Sequence, residues 1–138
     1  MIKLQDILNE GVYDPGIFKA VFMAGGPGSG KGYTAKTLLG MPETMPFVSA
    51  SGLKGVNSDS AYEAYLKAAG MSADMTKMTP EQFAKSQELR TKAKRVVAKK
   101  MINFINAKLG LLIDGTAKDY TKIANLFKQL KGQGYDCY

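Results

Sequence analysis

The sequence contains no histidine, and that absence removes a large part of enzyme chemistry. Without imidazole there is no Ser-His-Asp triad, no Cys-His pair, no HExxH zinc site and no histidine general acid or base. Cysteine is nearly absent too. The lone Cys137 excludes a disulfide framework and a cysteine-ligated metal cluster. No apolar run approaches the ~18 residues of a membrane span. Met1-Ile2-Lys3-Leu4-Gln5-Asp6 has neither the basic nor the apolar region of a signal peptide. These absences predict a cytoplasmic protein with no membrane partner. Internal repeats and low-complexity stretches are also missing.

What is present fits one α/β domain over residues 1–138, since a chain this long buries roughly two-thirds of its unfolded surface. Hydrophobic residues at 45% and charged residues at 22% give the balance of a soluble globular protein. Nineteen Lys and Arg against twelve Asp and Glu leave a formal charge of +7. A surplus of this size favours anionic partners, although scattered lysines also simply keep a surface soluble.

Leu4, Ile7 and Leu8 share one helical face, so residues 1–16 read as a docking helix and turn. Ile17 to Ala24 is a short apolar run that reads as a buried strand. A helix is expected from Lys31 to Gly40, a loop over 41–52, and a second strand from Leu53 to Asn57, weakened by Gly55. Ser58 or Asp59 is expected to cap the next helix, which carries Tyr62, Tyr65, Leu66 and Ala69 at helical spacing before Gly70. Thr79-Pro80-Glu81-Gln82 predicts a capped helix start, and that helix is expected to run to Leu109 with Gly110 as its stop. Leu111 to Asp114 reads as a third strand, Asp119 to Leu130 as a helix, and Tyr135 to Tyr138 as the start of a fourth strand. Strands alternating with helices predict βαβ units and a parallel sheet.

One motif dominates. Gly25-Gly26-Pro27-Gly28-Ser29-Gly30-Lys31 fits GxxxxGK between a strand and a helix. Glycines let the backbone curl so that successive N–H groups form an anion nest, and the helix N-terminus adds its positive end. Gly26, Pro27, Gly28, Ser29, Gly30, Lys31, Gly32 and Tyr33 are the expected nucleotide-binding residues, with Lys31 reaching the β- and γ-phosphates of ATP.

On these residues the chain resembles the P-loop kinases. The loop GGPGSGKG is similar to that of adenylate kinases. Val56-Asn57-Ser58-Asp59, Ile113-Asp114-Gly115-Thr116 and Gly134-Tyr135-Asp136 resemble more closely the zeta-toxin-like and polynucleotide-kinase-like phosphotransferases, over about residues 17–138. The resemblance implies a three-layer P-loop kinase fold with strand order 2-3-1-4. Two departures stand out. Gly32 occupies the position where the usual pattern has a Mg²⁺-holding Ser or Thr. The adenylate kinase Gly-Phe-Pro-Arg signature is replaced by Gly115-Thr116-Ala117-Lys118.

In a parallel sheet the strand C-termini share the ligand edge, and Asp59 and Asp114 both fall there. Asp59 is the candidate for accepting the proton of a substrate hydroxyl, or else it only caps a helix. Asp114 is the candidate for ordering Mg²⁺ through water, or else it is a turn residue before Gly115. Positions 90, 94, 97, 101, 104 and 108 form one line on the long helix and read Arg90, Lys94, Val97, Met101, Phe104, Lys108. Two cations therefore continue a buried stripe toward the helix start. Arg90 is the third catalytic candidate after Lys31 and Asp59, suited to a phosphate oxygen or an acidic substrate, unless it only snorkels to solvent. Residues 71–95, opening on a methionine-rich segment, could form a substrate cover or ordinary packing.

The leading expectation is an ATP- and Mg²⁺-dependent phosphotransferase. It would act on a hydroxyl of a small molecule, a sugar nucleotide or a nucleic-acid end. The alternative is a nucleotide-binding module with little intrinsic transfer; a basic nucleic-acid binder is a third class. The chain stops at Tyr138 as its fourth strand begins, and the resemblance places lid arginines beyond that point. It therefore reads as a kinase core incomplete at its C-terminal edge, weak in transfer unless another segment completes it, with an unfinished sheet edge that invites self-association.

Overall fold

A computed structural model describes residues 17–26, 28–43, 47–115 and 119–138. The docking helix expected over residues 1–16 lies outside them. The elements are β1 (Lys19–Ala24), α1 (Lys31–Leu39), β2 (Lys54–Val56), α2 (Ser58–Ala68), a 3₁₀ turn (Met75–Lys77), α3 (Pro80–Asn106), β3 (Leu111–Gly115), α4 (Tyr120–Gly132) and β4 (Asp136–Cys137). The strands form one parallel sheet in the order β2-β3-β1-β4, as the sequence predicted. In its register Ala20 faces Leu111 and Met23 faces Asp114 on one side of β1, while Lys19 faces Asp136 on the other.

The chain divides into two compact units. One comprises the described residues up to Gly55 together with those from Lys108 to Tyr138; the other is Val56–Ala107.

In the first unit, β1 buries both faces because successive side chains alternate across a strand. Val21 and Met23 pack with Met41, Leu53 and Leu112, joined by Ala35 and Leu39 of the α1 segment. Phe22 points the other way, its ring centroid 5.5 Å from that of Phe127 on α4. The 41–52 stretch is less irregular than expected. Val48 bridges antiparallel to Lys54, and the Gly55 N–H donates to the Phe47 carbonyl at 2.7 Å. A Cβ on Gly55 would sit 2.8 Å from that of Phe47, so the glycine that weakened the strand pattern is what admits this close approach.

In the second unit, α2 and α3 pack through Tyr62, Leu66 and Ala93, with Leu89 and Met71 at the margin. The predicted capping box is present at the start of α3. The Gln82 N–H donates to Thr79 Oγ1 at 3.2 Å and the Thr79 N–H to Gln82 Oε1 at 3.0 Å. Two expectations need correction. The cap of α2 is Asn57, whose Oδ1 accepts from the Asp59 N–H at 2.8 Å, not Ser58 or Asp59. The long helix ends at Asn106 rather than Leu109, because Lys108 takes the left-handed conformation (φ 58°) and turns the chain before Gly110. The Lys108 carbonyl is thereby freed from the helix and accepts the Phe18 N–H at 3.0 Å.

Candidate functional site

The loop after β1 follows from its glycines. Gly28 and Gly30 have φ of 75° and 86°, a region that costs L-residues strain. At Gly25 a Cβ would collide with Ser29 Oγ, so the turn closes on its own serine. Ser29 in turn donates its N–H to the Gly26 carbonyl at 3.2 Å. Gly30 is the N-cap of α1 and no side chain caps that helix; its first turn holds no acidic residue. An uncapped helix start leaves N–H dipoles for an anion to satisfy.

Lys31 stands at the first position of α1. Its Nζ donates to the Gly25 carbonyl at 2.5 Å and lies 3.5 Å from Asp114 Oδ1. Asp114 reaches this point because β3 pairs directly with β1 and brings its end beside Met23. An open groove of about 420 Å³ runs alongside, lined by Val21, Met23, Ser29, Lys31, Thr34 and Leu38 among others. Gly32 and Tyr33 are exposed, Tyr33 at 75%. The Thr34 hydroxyl donates back to the Gly30 carbonyl at 3.0 Å. Pro27 lies outside the described residues.

The first unit thus brings together the glycine loop, Lys31 and Asp114. Asp59 and Arg90 belong to the second unit. Asp59 is exposed in the first turn of α2 instead of ending a strand. Arg90 is half-buried on α3, with its Cζ 5.0 Å from the ring centroid of Tyr62. Lys94 is exposed, so the predicted stripe of two cations is broken after Arg90. The buried line of α3 runs instead through Ser86, Ala93 and Ile105. Sequence reading placed Tyr62 in a helix core and missed its contact with Arg90.

Cys137 is no nucleophile candidate, since burial pushes its thiol above the ordinary value despite the opposing charge of Lys131. Among the described residues no group of three or more Cys, Asp or Glu is placed to hold a metal ion. A cation here would depend on one protein carboxylate and on oxygens brought with a ligand. No described helix is long and apolar enough to cross a membrane.

No curated protein and no solved structure matches the chain. The model of the family described as Zeta toxin matches residues 14–138, a span that contains the whole sheet, the loop and both carboxylates. With the GxxxxGK loop set between β1 and α1 and the sheet in the order 2-3-1-4, the chain belongs to the Zeta toxin family, whose members are P-loop kinases using ATP.

Proposed function

We propose that this chain transfers the γ-phosphoryl group of ATP to a hydroxyl of an acceptor molecule. The observation that carries the proposal is the position of Lys31. Its ammonium group sits at the uncapped head of α1, held by the Gly25 carbonyl and Asp114, at the mouth of a loop shaped by Gly25, Gly28 and Gly30. Such a loop is built to hold phosphate oxygens by its backbone N–H groups.

The residues present fit a Mg²⁺–ATP complex, with the loop and Lys31 taking the phosphates and Asp114 offering a hard oxygen to the metal or to its water. Gly32 contributes no hydroxyl to that shell. Bound Mg²⁺ would neutralise charge on the phosphate oxygens during transfer. Lys31 exchanges its Gly25 and Asp114 contacts for the phosphates. Asp59 takes the proton of the acceptor hydroxyl as its oxygen bonds to the γ-phosphorus and the bond to the β-phosphate oxygen breaks, releasing ADP. Arg90 serves the acceptor side.

A screen of hydroxyl acceptors with γ-labelled ATP tests this reading, run on the parent chain and on Asp59→Asn. The expected outcome is label on one acceptor class, with transfer by Asp59→Asn reduced about 10²–10⁴-fold and ATP affinity within about two-fold, since its partner is the acceptor and not the nucleotide. Tight ATP binding with no acceptor labelled would favour the alternative, a nucleotide-binding module with little intrinsic transfer.

A further inference from the structure

The contact between Tyr62 and Arg90 leaves two polar atoms without partners. Tyr62 is 6% exposed, in the α2–α3 core with Leu66 and Ala93. Its ring lies under the Arg90 guanidinium, 5.0 Å from Cζ to the centroid. Tyr62 Oη and Arg90 Nε are both shut off from water, and neither has a hydrogen-bond partner among the described residues. No carboxylate among those residues stands within ion-pair distance of Arg90 either.

Packing alone does not call for this arrangement. Phenylalanine at 62 would fill the same core volume, and an aliphatic residue at 90 would cover the same ring. Burying a hydroxyl and a guanidinium N–H without acceptors is costly, and natural interiors rarely do it twice in one contact. Both orphaned groups are donors, and one belongs to a fixed cation. The missing partner is therefore a hydrogen-bond acceptor of negative charge. Arg90 as a whole is only half-buried, so the side chain that carries one of the two unsatisfied donors is open to an anion from one side. A planar guanidinium suits an oxyanion, and the ring beneath fixes the plane it presents.

We propose that Tyr62 and Arg90 form a subsite for an oxyanion, a phosphate or carboxylate carried by the acceptor. In this subsite Tyr62 positions the guanidinium and donates a second hydrogen bond. Asp59 lies about one turn before Tyr62 on α2, so the proton-accepting carboxylate and the subsite belong to the same unit. The assignment to the acceptor rests on the reading of Asp59 and Arg90 given above; the anion subsite itself stands on the Tyr62–Arg90 contact.

The chain has only two arginines, Arg90 and Arg95, so its arginine Nε–H spectrum contains two signals, assigned with Arg95→Lys. The experiment titrates the full ¹⁵N-labelled chain with inorganic phosphate and separately with acetate. A Lys31→Ala background weakens anion binding at the loop. The Arg90 signal is expected to move saturably while that of Arg95 stays in place. Tyr62→Phe should weaken the binding about ten-fold, the scale of one charge-assisted hydrogen bond, without lowering the melting temperature. Tighter phosphate binding identifies a phosphorylated acceptor, and tighter acetate binding a carboxylate one. An Arg90 signal that does not saturate, parallel movement of both arginines, or unchanged affinity in Tyr62→Phe would overturn the subsite. Failure of the phosphate-loop reading shows separately, as ATP affinity that survives Lys31→Ala.

Discussion

Lys31 and Asp114 form an ion pair at 3.5 Å across the β1–β3 seam, with side chains 17% and 26% exposed. The pair unites two sequence motifs 83 positions apart (114 − 31), and it does so because β3 pairs directly with β1. Partly solvated pairs of this kind contribute only about 0–1 kcal/mol to stability. Their arrangement matters more for ligands. The same ammonium that would bind phosphate is held by the carboxylate that would attend the metal.

Asp114→Asn should therefore change global stability by less than about 1 kcal/mol. In the presence of EDTA, ATP should bind as tightly as to the parent chain or more tightly, because Lys31 loses a competing anion. Added Mg²⁺ should strengthen ATP binding less than it does in the parent. Calorimetric titrations with and without Mg²⁺ check this, and an undiminished Mg²⁺ effect would remove Asp114 from the metal site.

Gly32→Ser should be accepted by the fold. A Cβ at Gly32 meets no atom within 4 Å, and its φ lies outside the left-handed region. Replacing a helical glycine by serine is worth about 0.3–0.5 kcal/mol in propensity. The added hydroxyl should also tighten Mg²⁺–ATP binding. A thermal melt and an ATP titration are the measurements; a lower melting temperature would show that the start of α1 needs glycine for another reason.

Much of this was legible in the sequence, for reasons particular residues make plain. The loop could be read because it is contiguous and its glycines serve local backbone geometry. The capping box at Thr79 and Gln82 was visible for the same reason. The strand order came through the family resemblance, and the parallel pairing through strand–helix alternation. What failed was decided by competition or by tertiary contact. Asn57 outcompetes Ser58 and Asp59 for the cap because it stands one residue before the first helical turn. Lys108 stops α3 ahead of Gly110, a choice tied to the hydrogen bond its carbonyl makes with Phe18. The Tyr62–Arg90 stacking depends on the register between two helices, which no single-helix periodicity contains.

Alkaline stability should report on Tyr135. Its ring is 3% exposed and its hydroxyl donates to the Leu109 carbonyl at 2.8 Å. Burial pushes the phenol above its ordinary value of 10.0. Folded Tyr135 thus holds its proton where the unfolded chain begins to lose it. The resulting stabilisation is fully present below about pH 10 and is lost as pH rises through the raised folded value. Tyr135→Phe should cost about 1 kcal/mol at neutral pH and should show a shallower fall in denaturant midpoint as the pH rises above about 10, the range of a free phenol. A fall as steep as the parent's would assign the alkaline loss to other groups.

The central claim is that the loop headed by Lys31 binds the phosphates of ATP, and the most direct test compares the parent chain with Lys31→Ala in an ATP titration monitored together with thermal melting. The expected result is a loss of affinity of about 10²-fold or more, the scale of losing one or two charge-assisted contacts, with a melting temperature close to the parent's in the absence of nucleotide. Equal ATP affinity in the two proteins would contradict the claim.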